Sequence, residues 1–389
     1  MTKSRPRILI TLDHYLPGYR FGGPIRTVSN LVDHLSDAFE FSIVTADRDL
    51  GDHRPYPDVQ VNRWQTLGSS RVFYRTGRNR GARGWVRLLR ETPHDLLYLN
   101  SVFSRVTVLL LFLRRLGAIP RRPTILAPRG ELSPGAMHFK RWRKRGFLKV
   151  AKRLGLFHGL VWQASSDLER GEILQTVNGA GPMQVAVAVD LPPRIPAARP
   201  SRREKTAGEA RIVFVSRLAR KKNLHVALQL IAKVEGRVVF DIYGPREDKE
   251  YWSECAAILA TLPSNVAATY CGEVEPKDVR QVFARYDLFL FPTLSENFGH
   301  VILESLAAGC PVLISDTTPW RDLSERRAGW DLPLTAPERF VSVLQQVVSM
   351  NDSEHRHWSE GASALAHAVA NDENAVSASR LLLARTLAP

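Results

Sequence analysis

Cysteine is scarce in this chain, with three residues in 389: Cys255, Cys271 and Cys310. They are too few and too far apart for a disulfide framework or a Cys-x-x-Cys metal site, and this usage points to a reducing compartment. Long apolar runs are missing too. The best, residues 106–113, stops at Arg114-Arg115, well short of the roughly 18–20 residues a membrane-crossing helix requires. At the amino terminus five residues separate Arg7 from Asp13, too short an apolar core for a signal peptide, so none is expected. Acid is in deficit: 54 Lys and Arg stand against 39 Asp and Glu, a net charge of +15. A hydrophobic content of 44% with 24% charged residues excludes a largely disordered chain. No internal repeat or low-complexity tract is visible. At roughly 100–200 residues per domain, the length predicts two domains.

The surplus charge is concentrated. Residues 114–153 hold thirteen Lys and Arg and a single acid, Glu131, and so carry +12 of the total. Such a cluster attracts polyanions. Within it, residues 138–153 interleave Phe139, Trp142, Phe147 and Leu148 with cations, a pattern suited to a helix at an anionic membrane surface. A solvated basic helix without a partner is the plain alternative. Nucleic acid is the least favoured partner, because no recognised nucleic-acid motif accompanies the charge.

Strand and helix patterns alternate along the chain. Strands are expected at 7–12, 41–45, 95–100, 124–128 and 159–164, with a helix over 24–35 that Pro24 opens. Residues 190–210 then carry four prolines and no periodicity, the texture of a linker. Beyond it come strands at 211–216, 238–244, 268–271, 287–292 and 311–315, with helices at 223–234, 250–261 and 299–308. This order implies parallel sheets covered on both faces. The expected architecture is α/β: two Rossmann-like, doubly wound domains facing across a cleft. They would be an N-terminal domain (1–190), a linker (191–210) and a C-terminal domain (211–389), whose last helix packs back on the first domain.

Ligands of doubly wound sheets bind beyond the carboxyl ends of strands, which makes three loops informative. Gly22-Gly23 precedes the helix opened by Pro24; a glycine pair lets the backbone approach an anion at a helix start, although an ordinary turn uses the same residues. Arg217 follows a strand and Lys222 precedes a helix, cations suited to a diphosphate, or else to solvent. The third loop and its helix carry Glu296 and, eight residues on, Glu304 amid Ile302, Leu303, Leu306 and Ala307. A carboxylate in that setting needs a partner, and the two acids can reach different parts of one ligand. Asp47-Arg48-Asp49 is read as a chance Asp-x-Asp, and His355 and His357 as surface residues, so no metal site is expected.

Together these residues resemble the retaining nucleotide-sugar glycosyltransferases of glycosyltransferase family 4, the group 1 type with the GT-B fold. The resemblance rests on Gly22-Gly23, Arg217-Leu218 with Lys222, Tyr243-Gly244-Pro245 and Cys271-Gly272-Glu273-Val274. It extends through the run Glu296-Asn297-Phe298-Gly299 to Glu304, and Ala308-Gly309-Cys310-Pro311-Val312. It implies that Arg217 and Lys222 bind the donor diphosphate and stabilise its leaving, and that Glu296 contacts sugar hydroxyls and Glu304 the ribose. Backbone amides of Phe298, Gly299 and His300, beside Asn297, would meet sugar or phosphate. Gly22 and Gly23 would cover the diphosphate, and the Gly244 and Gly272 loops would flank the base. The histidine that many relatives carry at a first-domain strand end is absent; Arg129-Gly130-Glu131 stands there, which makes Arg129 and Glu131 acceptor-side candidates. The usual Pro-Asn-Gly before the linker is replaced by residues 185–190, which keep Asp190.

The implied activity is sugar transfer from a nucleotide-sugar to a glycan or lipid-linked acceptor in polysaccharide or lipopolysaccharide-type synthesis. Neither cofactor nor metal is implied, and the location would be cytoplasmic, peripheral on the inner face of the plasma membrane. The competing expectations are a nucleotide-sugar epimerase or glycan phosphorylase on the same architecture, and a non-catalytic binder of anionic lipid or nucleic acid.

Overall fold

The computed structural model describes residues 4–138, 141–177, 185–196 and 198–388. The chain divides into two units, Met1–Leu191 with Glu373–Pro389, and Pro192–Asp372. The first contains β1 (Arg7–Thr11), α1 (Gly23–Leu35), β2 (Glu40–Ala46), β3 (Trp64–Leu67), β4 (Ser70–Arg75), α2 (Ala82–Glu91), β5 (Leu96–Asn100), α3 (Arg105–Arg115), β6 (Thr124–Ala127), α4 (Pro134–His138), α5 (Arg141–Arg153), β7 (Leu160–Ala164), α6 (Asp167–Thr176) and β8 (Val185–Val187). Its sheet runs β3-β4-β2-β1-β5-β6-β7-β8. All neighbours are parallel except β3, which pairs antiparallel with β4. Side chains alternate across the strands: Ile8 and Ile10 of β1 join the core beneath α1, while Leu9 joins the one beneath α2, α3 and α5.

The second unit contains β9 (Glu209–Val215), α7 (Leu224–Ile231), β10 (Arg237–Tyr243), α8 (Lys249–Leu259), β11 (Val266–Gly272), α9 (Val279–Phe283), β12 (Leu288–Phe291), α10 (His300–Ala307), β13 (Val312–Ser315), β14 (Gly329–Leu332), α11 (Pro337–Ser349) and α12 (Asp352–Ala370). Its sheet is wholly parallel, in the order β11-β10-β9-β12-β13-β14. The central strand β12, Leu-Phe-Leu-Phe, is buried at every position, because helices cover both faces. The final helix, α13 (Glu373–Leu387), belongs to the first unit; Leu382 and Leu383 enter the α1 core and Arg380 pairs with Asp37 at 3.0 Å.

Two sequence expectations change here. The stretch read as a linker belongs almost entirely to the second unit. Arg202 pairs with Asp352 at 2.6 Å, and the buried Lys205 donates to the Met350 carbonyl at 3.3 Å. Polar side chains, invisible to periodicity, hold it. His355 is buried rather than superficial, its Nε2 2.8 Å from the Asp287 carbonyl oxygen. No helix among the described residues is long and apolar enough to cross a membrane.

In the first unit a buried polar cluster gathers at the carboxyl ends of β5, β6 and β7. Arg129, in the left-handed region at φ 58°, is ion-paired with Asp190. Its Nε donates to Asn100 Oδ1 at 3.0 Å and its Nη2 to the Tyr98 hydroxyl at 2.9 Å. Thr27 of α1 donates to Asp190 at 3.2 Å, and Asn30 to the Leu191 carbonyl at 2.8 Å. Asp190 and Leu191 thereby fix the end of the first unit onto α1 and β6. Breaking a buried pair from one side strands the other charge, at about 3–5 kcal/mol. Asp190→Ala is therefore expected to lower the first unit's stability by about 3–5 kcal/mol in chemical denaturation. The doubly apolar Arg129→Met/Asp190→Leu should regain much of that loss. A single-variant loss under about 1 kcal/mol would contradict this role.

Candidate active site

The second unit brings its predicted cations and acids to the carboxyl ends of β9, β10 and β12. β9 leads through Ser216 to Arg217, and a single 3-10 turn (Arg220–Lys222) precedes α7. Asn223 closes that turn in the left-handed conformation, φ 64°, and its side-chain amide donates to the Pro292 carbonyl at 2.9 Å. The loop after β12 is thereby tied to the loop after β9. Leu294 N donates to the Lys221 carbonyl at 2.9 Å, a second tie between them. Across this junction Lys222 Nζ is ion-paired with Glu296 Oε1. Both side chains are largely buried, 12% and 13% exposed, so the pairing is what makes two charges tolerable there.

Burial pulls the Lys222 ammonium below its ordinary pKa; Glu296 opposes the shift, and the charges of Lys221 and Arg217 add to it. For Glu296, burial alone would raise the carboxyl, but Lys222 and Lys221, with hydrogen bonds from Lys222 and Thr293, hold it below the usual carboxylate range. The sign follows from the lowered Glu296 pKa: the ionised carboxylate contributes stability above the ordinary carboxylate range, lost as pH falls through and below it. Arg217 lies nearer the rim, its Nη1 bonded to Glu247 at 2.9 Å. Three cations, Arg217, Lys221 and Lys222, thus stand against two carboxylates, Glu247 and Glu296, a positive balance that suits a diphosphate.

Glu296 sits in the loop leading to α10. Phe298 is buried, and its carbonyl accepts from Trp320 Nε1 at 2.6 Å. Gly299 caps α10 at φ 79°. His300 begins the helix, ringed against Phe298 at 4.8 Å. Amides at a helix start have no partner within the helix and favour negative charge. Asn297 lies in the same loop. Glu304, one turn into α10, is half-buried. Gly244 lets strands approach: at φ 136°, a Cβ there would lie 1.8 Å from the Ser216 carbonyl oxygen. Its N–H donates to the Gly272 carbonyl at 2.8 Å. Gly272 itself has φ 86°.

The remaining predicted residues lie in the first unit. Gly22 caps α1 at φ 78°, and Gly23 is the first residue of that helix. Arg129 is committed to the Asp190 cluster. Glu131 accepts from Phe103 N at 3.1 Å, and burial raises its carboxyl pKa. Asp49, dismissed as part of a chance triplet, pins the glycine loop: its Oδ2 accepts from Tyr19 N at 2.7 Å and Arg20 N at 3.0 Å. No group of metal-ligating side chains forms a metal site among the described residues. Sequence reasoning also missed Glu247 and Thr293. Thr293 is fully buried, with its hydroxyl 3.2 Å from Glu296 Oε1. The only signal for either was adjacency, to Tyr243-Gly244-Pro245 and to Glu296.

Comparison with known proteins bears on this geometry. Residues 198–364, nearly all of the second unit, match the family described as glycosyl transferases group 1. The second unit carries the sequence pattern of this family. Among curated relatives, a GDP-mannose-dependent alpha-mannosyltransferase of Mycobacterium tuberculosis is 31% identical over 153 residues, 38% of this chain and 38% of its own length. A sulfoquinovosyl transferase of Arabidopsis thaliana is 29% identical over 103 residues, 26% of this chain and 18% of its own. The matches thus span well under two thirds of either relative. Among solved structures, sucrose-phosphate synthase of Thermosynechococcus elongatus has a TM-score of 0.71 at 16% identity, covering 98% of this chain and 99% of that one. HepE of Anabaena, solved in complex with UDP and glucose, has a TM-score of 0.66 at 18% identity, covering 98% and 99%. At such identities the likeness shows the fold, GT-B, with two parallel-sheet units.

Removing Glu296 isolates the electrostatics. Without its charge nothing opposes the desolvation of Lys222, whose pKa must fall further. In Glu296→Gln, the affinity for UDP or GDP should therefore decline with rising pH at lower pH than in the parent protein, as measured by calorimetry from pH 6 to 10. A decline at unchanged or higher pH would contradict the pairing.

Proposed function

We propose that this chain is a retaining, nucleotide-sugar-dependent glycosyltransferase of family 4, acting on a glycan or lipid-linked acceptor in polysaccharide-type synthesis. The observation that carries the reading is the buried Lys222–Glu296 pair beside Arg217 at the carboxyl ends of β9 and β12. HepE was solved with UDP-glucose, and a curated relative is named for a GDP-mannose donor; both support a nucleoside diphosphate as the charged part of the ligand. The three free cysteines fit a reducing, cytoplasmic setting.

The chemistry follows from charge. As the bond between the anomeric carbon and the phosphate oxygen breaks, its electron pair stays on oxygen and the sugar becomes oxocarbenium-like. Lys222 and Arg217 offer fixed positive charge to that oxygen, so the step requires no metal. Glu296 orients Lys222 and accepts from donor sugar hydroxyls, while Glu304 serves the ribose. The amides of Phe298, Gly299 and His300, with Asn297 beside them, receive sugar or phosphate oxygens, and the Gly244 and Gly272 loops border the base. Gly22 and Gly23 offer backbone amides to the diphosphate. The acceptor oxygen attacks the anomeric carbon from the leaving-group side, and its proton passes to the departing phosphate, which retains the configuration. Arg129 and Glu131 act on the acceptor side, Arg129 through the Asp190 cluster.

The test begins with thermal shifts against a panel of UDP- and GDP-sugars, since a true donor stabilises the fold by mass action. With the donor found, Lys222→Ala and Glu296→Gln should each lower transfer by about 100–1,000-fold, the usual effect of removing one fixed donor to a developing oxyanion. Each should still melt as a folded protein. Undiminished transfer by both variants, or conversion of the donor sugar with no acceptor present, would overturn the reading.

A further inference from the structure

The face of the first unit built by α2, α3 and α5 carries a pattern that sugar transfer does not use. Between Glu131 and Asp167 the sequence has no acid. Helix α5 turns Leu148 and Ala151 into the core and leaves Arg141, Arg143, Arg145, Lys149, Lys152 and Arg153 exposed. Trp142, Arg145, Lys149 and Arg153 follow at helical spacings of three, four and four residues, so they share the face opposite the core. Trp142 is 74% exposed at one end of that face, with the Arg143 guanidinium 5.0 Å from its ring. Phe139, part of the same sequence pattern, lies outside the described residues.

At the other end Arg115 Nε donates to the Leu154 carbonyl at 3.0 Å, drawing the carboxyl ends of α3 and α5 together. Each ends in an exposed leucine, Leu116 at 77% and Leu154 at 44%, and Val150 is 50% exposed beside them. Farther along, Arg83, Arg87 and Arg90 of α2 line a groove of about 530 Å³ with Val86 and Leu113. Arg90 Nε reaches the Ala118 carbonyl at 3.2 Å, just beyond Leu116.

We propose that this face docks on an anionic lipid bilayer, with Trp142 and the Leu116, Val150 and Leu154 cluster entering the interface and the cations between them meeting headgroups. Charge alone would serve a nucleic acid equally well. Exposed leucine and valine side chains gain nothing from a polyanion in water, whereas the boundary between headgroups and acyl chains takes up apolar groups and anionic charge together. The inference rests on the first unit only; it stands or falls independently of the donor chemistry, because its test contains no sugar.

The full-length protein is sedimented with vesicles of phosphatidylcholine, with or without 30% phosphatidylglycerol, over a salt series. Binding is expected to the anionic vesicles only and to weaken as salt rises. The triple change Arg145→Gln, Lys149→Gln and Arg153→Gln should lower partitioning roughly 100-fold, about fivefold for each surface cation. Brominated acyl chains should quench the parent protein's fluorescence and quench Trp142→Ala distinctly less. All substituted side chains are exposed, and circular dichroism checks that the variants stay folded. Absence of binding at low salt, equal binding to neutral vesicles, equal quenching of Trp142→Ala, or a preference for a DNA duplex over anionic vesicles would each overturn the proposal.

Discussion

Two opposite charges, 74 residues apart in the chain, are buried against one another where the central strands of the second unit end, and the site depends on that pairing. Neither Lys222 nor Glu296 could remain ionised in so enclosed a place alone. Each is held by the other, and both are held by backbone: Asn223 ties its loop to Pro292, and the Thr293 hydroxyl reaches both Glu296 and the Lys221 carbonyl. Such a pair does little for net stability against an apolar alternative. Its value lies in the position it gives to an ammonium group with its counter-charge preset, ready for a ligand that brings more negative charge. Arg217 completes the arrangement from the rim, where Glu247 holds its guanidinium in place.

The first unit uses its charge in two different ways. Inside, Arg129 bonds to Asp190, Asn100 and Tyr98, and this cluster fastens the last strand-end of the unit to α1. Outside, the basic residues of α5 face solvent around Trp142 with no acid nearby in sequence. One composition, rich in arginine, thus yields a rigid interior clamp and an exposed electrostatic surface, according to whether an acid is folded against it.

Much of the fold was legible because buried parallel strands read as continuous apolar runs: residues 287–292 and 311–315 of the sequence pattern became β12 and β13. The hairpin of β3 and β4 escaped, since Trp64–Leu67 is only partly buried and lacks a clean alternation. The attachment of residues 192–210 to the second unit was not legible, because it depends on Arg202 and Lys205 finding Asp352 and Met350 far along the chain. At the site, residue types and loop positions were visible for Arg217, Lys222 and Glu296. Their partners were not: nothing in the sequence marks Glu247 as the companion of Arg217, or Thr293 as the hydroxyl beside Glu296.

A structure of the protein with a nucleoside diphosphate bound would test the central claim most directly. The account predicts diphosphate oxygens within hydrogen-bonding distance, about 2.7–3.2 Å, of both Lys222 Nζ and the Arg217 guanidinium, with Glu296 still beside Lys222. A diphosphate seated elsewhere, with the Lys222–Glu296 pair and Arg217 untouched, would contradict it.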